Sequence, residues 1–217
     1  MTVYFISGLG ADSRIFSKLR LPASTKVKYI EWIEPVKHEP LRDYCQRLAR
    51  QIDKERFILV GLSFGGIAAI EIAKLIAAEQ VILLSSIATS NELPLRFRFA
   101  RLLRLHKLVP ARIMKRTTLL IYWFFNARTK KEQALLRDYV RSVSNNFLEW
   151  SINAVLNWKD HERLPNLFHI HGDSDRIFPC KRTHADIVIS KGGHLMVYDQ
   201  PAQMSKLLTE RINSVDN

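Results

Sequence analysis

Apolar positions along the chain follow two periods, and the switches between them mark the elements. Residues 2–7 (TVYFIS) form a β-branched and aromatic run ending in Gly8-Leu9-Gly10, which predicts a buried strand entering a tight turn. Residues 26–33 (KVKYIEWI) alternate as a strand does, and residues 40–52 place Leu41, Tyr44, Leu48 and Ile52 at helical spacing. Residues 57–60 give a short apolar strand, followed at once by Gly61-Leu62-Ser63-Phe64-Gly65-Gly66 and the helical pattern IAAIEIAKLIAA, with another strand at 81–84. Strands alternating with helices predict βαβ units around a mostly parallel sheet. From about Ala88 to Asp160 only helical signals remain: residues 95–108, a segment opened by Pro110 and ending in Tyr122-Trp123-Phe124-Phe125, a capping box at Thr129 and Glu132, and residues 147–158. The sheet resumes at 167–171 (LFHIH) and 186–189, and a helix over about 202–212 closes the pattern. The expected organisation is an α/β core of residues 1–87 and 161–217, interrupted by an all-helical insertion over 88–160.

Composition narrows the class. At 217 residues, 47% hydrophobic and 25% charged, the chain can bury the core of one globular domain, which excludes disordered, collagen-like and disulfide-stapled classes. Charges interrupt every apolar run before the roughly 20 residues of a membrane span, and no charged region precedes an apolar stretch with a cleavage site near the start. Cys45 and Cys180 are far apart and in no metal-ligand spacing, so both are expected to be bystanders in a reducing compartment. These features together predict a soluble cytoplasmic protein.

The candidate chemistry begins at residues 57–66. Gly-x-Ser-x-Gly between a strand and a helix is the pattern of a nucleophile elbow, with Ser63 on a strained turn at the carboxyl end of the strand. A serine hydroxyl needs a base to take its proton and a carboxylate to orient that base. After the insertion, LFHIH runs into Gly172-Asp173-Ser174-Asp175, and the next strand runs into Gly192-Gly193-His194. Carboxyl ends of parallel strands share one edge of a sheet, so the three loops can converge. Among seven histidines, only His194 follows two glycines in a late loop beyond a strand, whereas His169 and His171 read as core or capping groups. Of the two acids Asp175 is preferred, with Asp173 expected to bond loop amides. The amides of Phe64, after the nucleophile, and Leu9, after the first strand, are the candidate oxyanion donors.

These pieces, ISGLGADSRIF, VGLSFGG, HGDSDRIFP and KGGHL, resemble the α/β-hydrolase superfamily in identity and order over nearly the whole chain. The resemblance implies an α/β-hydrolase fold with a mostly parallel sheet of about six strands flanked by helices. It places the triad acid on Asp175, through His-Gly-x-x-Asp-x-x-x-Pro, with Ser63 as nucleophile, His194 as base and Leu9 and Phe64 as oxyanion donors. Residues 88–160 correspond to the superfamily's lid, or cap. Ser7-Gly8 stands where members commonly have His-Gly, Leu62 replaces a frequent His or Tyr, and residues 2–7 resemble the superfamily's third strand, so that a sheet without its first antiparallel strands is expected. The implied activity is cleavage of a carboxylic ester in a small-molecule acyl substrate through an acyl-enzyme, without metal or organic cofactor. Thioester or carbon–carbon bond hydrolysis would use the same groups, and a non-catalytic relative binding a small ligand or a membrane is the alternative of another class.

Charge adds one feature. The chain carries 33 basic and 21 acidic residues, a formal +12, and residues 88–160 hold fourteen Lys or Arg against five Asp or Glu, leaving +9 there. On a helical wheel of residues 95–108, Leu95, Phe99, Leu102, Leu103 and His106 share a face, with Arg96, Arg98, Arg101, Arg104 and Lys107 around the other. The simple expectation is a lid helix packing that apolar face on the core; the sharper one is a basic lid that meets an anionic membrane surface or an anionic acyl substrate. No nucleic-acid-binding module is recognisable, so no nucleic-acid partner is expected.

Overall fold

In a computed structural model describing residues 1–103, 111–116 and 119–216, six strands form one all-parallel sheet in the order β2-β1-β3-β4-β5-β6. They are β1 (Thr2–Ile6), β2 (Lys26–Ile30), β3 (Phe57–Leu62), β4 (Gln80–Leu84), β5 (Leu167–Gly172) and β6 (Ile187–Ile189). The chain steps from β1 outward to β2, then returns to β3 on the other side of β1, which creates a crevice at the carboxyl ends where the strand order reverses. Register aligns those ends: Ile6 lies opposite Gly61, Leu62 opposite Leu84, and Gly172 opposite Ile189.

Central strands are apolar on both faces because helices cover both. Tyr4, Ile6, Leu59, Val81 and Leu83 face α1 (Leu41–Ala49) and α2 (Phe64–Ala73). Their neighbours Val3, Phe5, Ile58, Val60, Ile82 and Leu84 face α9 (Pro201–Asp216), whose Met204, Leu208 and Ile212 recur every fourth residue. Each such side chain contributes about 2 kcal/mol by leaving water. The final helix is longer than the pattern over 202–212 indicates, and a short α8 (Met196–Asp199) precedes it. Cys45 is buried in the first of these layers, and burial pushes its thiol up, away from reactivity.

Between β4 and β5 the described residues form five α-helices: α3 (Leu95–Leu102), α4 (Ala111–Met114), α5 (Leu119–Phe124), α6 (Lys130–Ser142) and α7 (Asn145–Asn157). Thr129 and Glu132 form the capping box that starts α6. The far end of this region is stapled to α2, where the Trp158 indole N–H donates to the Glu71 carboxylate (2.9 Å) and Lys74 pairs with Asp160. Among the described residues, no helix is long and apolar enough to cross a membrane.

Two expectations from the sequence are corrected. Strand pairing in β2 stops at Ile30, because Trp32 leaves the alternation to pack inward from a loop. The face of α3 expected to pack on the core is instead exposed: Leu95, Phe99 and Leu102 are 53%, 59% and 75% accessible, and Leu103 just beyond is 61%. The helix is turned so that Phe97, which falls outside that apolar stripe, packs edge-on against Phe178 (6.3 Å). His106 and the rest of the expected helix to residue 108, like Pro110, lie outside the described residues.

Candidate active site

The turn from β3 into α2 places Ser63 at φ 54°, ψ −120°, a conformation costly for an L-residue. Close approach of backbone makes the turn fit: a Cβ on Gly61 would lie 2.4 Å from the Gly65 carbonyl oxygen, and one on Gly65 would lie 2.3 Å from the carbonyl oxygens of both Ile6 and Ser7. The Ser63 N–H donates to the Leu84 carbonyl (2.9 Å), and its own carbonyl accepts from the Gly66 N–H (2.9 Å) and the Ser86 hydroxyl (2.7 Å). The serine is therefore held by β4 as well as by its own turn.

His194 and Asp175 reach Ser63 from the loops after β6 and β5. His194 Nε2 is 2.9 Å from Ser63 Oγ, and His194 Nδ1 is 2.8 Å from Asp175 Oδ2. A carboxylate only accepts, so Nδ1 carries the imidazole proton and Nε2 is left to accept from the serine hydroxyl. Asp175 Oδ1 accepts from the Ile177 and Phe178 amides at 2.7 and 3.0 Å. Burial by itself would raise this carboxyl, but the imidazoles of His194 and His171 and the Phe178 amide outweigh it and hold Asp175 below the usual carboxylate range. Amide bonding was the part expected of Asp173, and here the structure corrects the sequence: Asp173 accepts from the adjacent Ser174 hydroxyl (2.7 Å), while Asp175 takes both the histidine and the loop amides. The two loops are joined by the Ser174 N–H donating to the Gly192 carbonyl (2.9 Å). The rings of Phe125 and Phe178 flank His194 at 5.3 and 5.9 Å.

Behind the acid lie two further imidazoles. His171 Nε2 donates to the Phe178 carbonyl (2.7 Å), and its Nδ1 lies 3.1 Å from His169 Nε2. Both rings are fully buried, and burial lowers both, His169 well below the ordinary histidine value, so both are neutral near pH 7. Their core placement agrees with the sequence.

Leu9 follows β1 and Phe64 opens α2. Among the described residues, neither amide N–H donates to a protein acceptor, so both are available to an incoming anion, Phe64 with the helix dipole behind it. The loop carrying Leu9 is held by a residue that sequence reasoning did not single out. The Trp32 indole N–H is shared between Ser7 Oγ (3.0 Å) and the Gly8 carbonyl (3.1 Å), and its ring stacks on Phe64 at 5.2 Å. Ser7 Oγ in turn donates to the Ala11 carbonyl (2.7 Å), closing the turn where Ser7-Gly8 departs from the common His-Gly. The sequence offered no signal that set Trp32 apart, because it falls within the run of residues 26–33 read as an alternating strand.

Ser63 and His194 open onto a cavity of about 490 Å³ whose wall includes Leu9, Phe97, Ile121, Phe125, Val143 and Ile152. Among the described residues lining it there is no Lys, Arg, Asp or Glu. Tyr139 also lines the cavity, and its hydroxyl is buried with no hydrogen-bond partner among the described residues.

This parallel sheet with its serine elbow, and the acid and histidine loops at the same edge, defines an α/β-hydrolase architecture. The sequence model described as "Alpha/beta hydrolase family" matches residues 3–207, and the chain belongs to that family. No curated protein matches the chain. Among solved structures, a thermophilic esterase from Thermogutta terrifontis, solved with malate bound, is similar at 16% identity over 100% of this chain and 91% of that one, with a TM-score of 0.67. A bromoperoxidase from Bacillus anthracis is similar at 16% identity over 98% and 91% of the two chains, with a TM-score of 0.72. A hydrolase from Oleispira antarctica is similar at 10% identity over 100% and 91%, also with a TM-score of 0.72. At these identities the likeness is one of fold.

Proposed function

We propose that the protein is a serine hydrolase that cleaves carboxylic esters with apolar acyl groups through an acyl-enzyme. The observation that carries the reading is the unbroken hydrogen-bonded line from Ser63 through His194 to Asp175 at the floor of an apolar cavity. His194 Nε2 takes the proton of Ser63 as Oγ attacks the ester carbonyl, and Asp175 steadies the imidazolium that forms. The Leu9 and Phe64 amides receive the oxyanion, and the positive end of α2 adds to their effect. His194 then gives its proton to the departing alcohol, and in the second step takes one from the water that releases the acid.

Residues 88–160 act in this reading as a cap, since Phe97, Ile121, Phe125, Val143 and Ile152 from that region line the cavity. The absence of charged side chains from the described wall favours a neutral acyl chain over an anionic one, because an unpaired carboxylate would lose its hydration there.

A fluorophosphonate probe tests the reading directly. Wild type is expected to acquire one adduct on Ser63, and Ser63→Ala none; failure of the wild type to react would exclude a serine enzyme. On a series of p-nitrophenyl esters, kcat is expected to fall about 10⁴-fold in Asp175→Asn and by at least as much in His194→Ala. The same acyl groups offered as thioesters separate the two substrate classes, with oxygen esters expected to give the higher kcat/KM.

A further inference from the structure

From Leu93 to Lys131 the sequence holds eleven Lys or Arg and no Asp or Glu. Among the described cations of this stretch, none makes an ion pair with a carboxylate. Arg98 and Arg101 bond backbone carbonyls, Arg96 reaches the Ile177 carbonyl (2.7 Å), and Arg116 is exposed. The same stretch holds eight of the twelve large apolar side chains exposed on the described surface. Besides those of α3 and Leu103, they are Ile113 of α4 (54%) and Leu119, Leu120 and Trp123 of α5 (84%, 61% and 52%).

These residues belong to one region. Phe97 and Ala100 of α3, Met114 of α4 and Ile121 of α5 line the same cavity, so three helices share its wall and their outer sides face away from it. Arg96 lies over the Phe124 ring (5.5 Å) and Arg176 over the Trp123 ring (4.3 Å), joining α3 and α5 beside the acid loop. The three helices thus have apolar residues on their inner sides, where they wall the cavity, and further apolar residues exposed on the outside, with the exposed Arg101 of α3 and Arg116 just after α4 among them.

An apolar patch of this kind is costly in water and marks a surface that becomes covered. A protein partner would be expected to bring carboxylates to distinct arginines, and a nucleic acid would not use protruding leucines. Leucines and a tryptophan among arginines, without acids, match the boundary between anionic headgroups and acyl chains. We propose that the outer surface of α3, α4 and α5 docks on an anionic phospholipid membrane, with Leu102, Leu119 and their neighbours entering the acyl boundary and the cations lying at the phosphates. Docked in this way, the helices that wall the cavity around Ser63 lie against the bilayer.

Sedimentation with vesicles tests this, using an equal mixture of phosphatidylglycerol and phosphatidylcholine against phosphatidylcholine alone. The protein is expected to bind the anionic vesicles at low salt and to release as salt rises. Arg98→Gln and Arg116→Gln are each expected to weaken binding by about fivefold, and Leu102→Ser with Leu119→Ser by about tenfold or more. All these variants should retain wild-type turnover of a short water-soluble ester, and Ser63→Ala should bind vesicles like wild type, so docking stands or falls separately from catalysis. The proposal is overturned by equal binding to neutral vesicles, by no binding at all, by binding indifferent to the leucine changes and displaced by polyphosphate, or by a dimer in sedimentation equilibrium that Leu102→Ser dissolves.

Discussion

Ser63 concentrates the conflict between stability and the proposed chemistry in one residue. Its left-handed φ costs the folded state of order 1–3 kcal/mol, a cost accepted because the turn lifts Oγ toward His194 Nε2. Glycine carries no such penalty. Ser63→Gly is therefore expected to be about 1 kcal/mol more stable to urea than Ser63→Ala, although both lack the hydroxyl and should be equally inactive. Equal stability of the two would show that the turn is not strained. Asp175 illustrates the opposite economy, since one buried carboxylate accepts from a histidine and two amides, so that each of its oxygens is hydrogen-bonded away from water.

At the scale of elements, the loop after β1 depends on a residue from the segment beyond β2. Trp32 holds the Gly8 carbonyl with its indole N–H and stacks on Phe64, so it touches both sides of the proposed oxyanion site. Trp32→Phe keeps a ring on Phe64 and loses the hydrogen bond. The expected result is a fall in kcat of roughly tenfold with KM little changed, because an oxyanion donor acts in the transition state and not on the bound ester. A rise in KM with unchanged kcat would instead assign Trp32 to substrate binding. The element least legible in the sequence was α3. Its wheel gave an apolar stripe, and the stripe was right, but a helix with Phe97 on one side and Phe99 on the other leaves the inward face undecided until the cavity wall is built.

One pH dependence of the whole molecule comes from two core histidines, and it is opposed in part by Asp199, whose carboxyl is pushed up to about 7 by burial beside Glu132 and so favours folding as pH falls. His169 and His171 are buried and neutral, with their protonation pushed below the ordinary value of 6.5. In the unfolded chain they take protons near that value, so below it the unfolded state binds more protons and stability falls as pH falls. Melting temperature is expected to hold from pH 8 to about 7 and to drop below about 6.5. His169→Gln should make the drop shallower; an unchanged slope would place the acid sensitivity elsewhere. Asp175, held below the usual carboxylate range, loses its contribution in the same direction but only in stronger acid.

The sequence by itself determined the sheet, the helical insertion after β4 and the order of the three loops. Strand and helix periods, glycine positions and the covalent order of parallel strands are local properties, and parallel strands necessarily bring their carboxyl ends to one edge. Only the tertiary structure decided which acid faces His194, that Trp32 secures the loop after β1, that the cavity is apolar, and that the apolar stripe of α3 points outward. Each of these is settled by contacts between segments distant along the chain, as Asp175 and His194 are each brought to Ser63 from beyond the insertion. The charge excess is plain in the composition, but only the folded arrangement sets its cations among exposed leucines around the cavity, because side-chain exposure is a property of packing and not of periodicity.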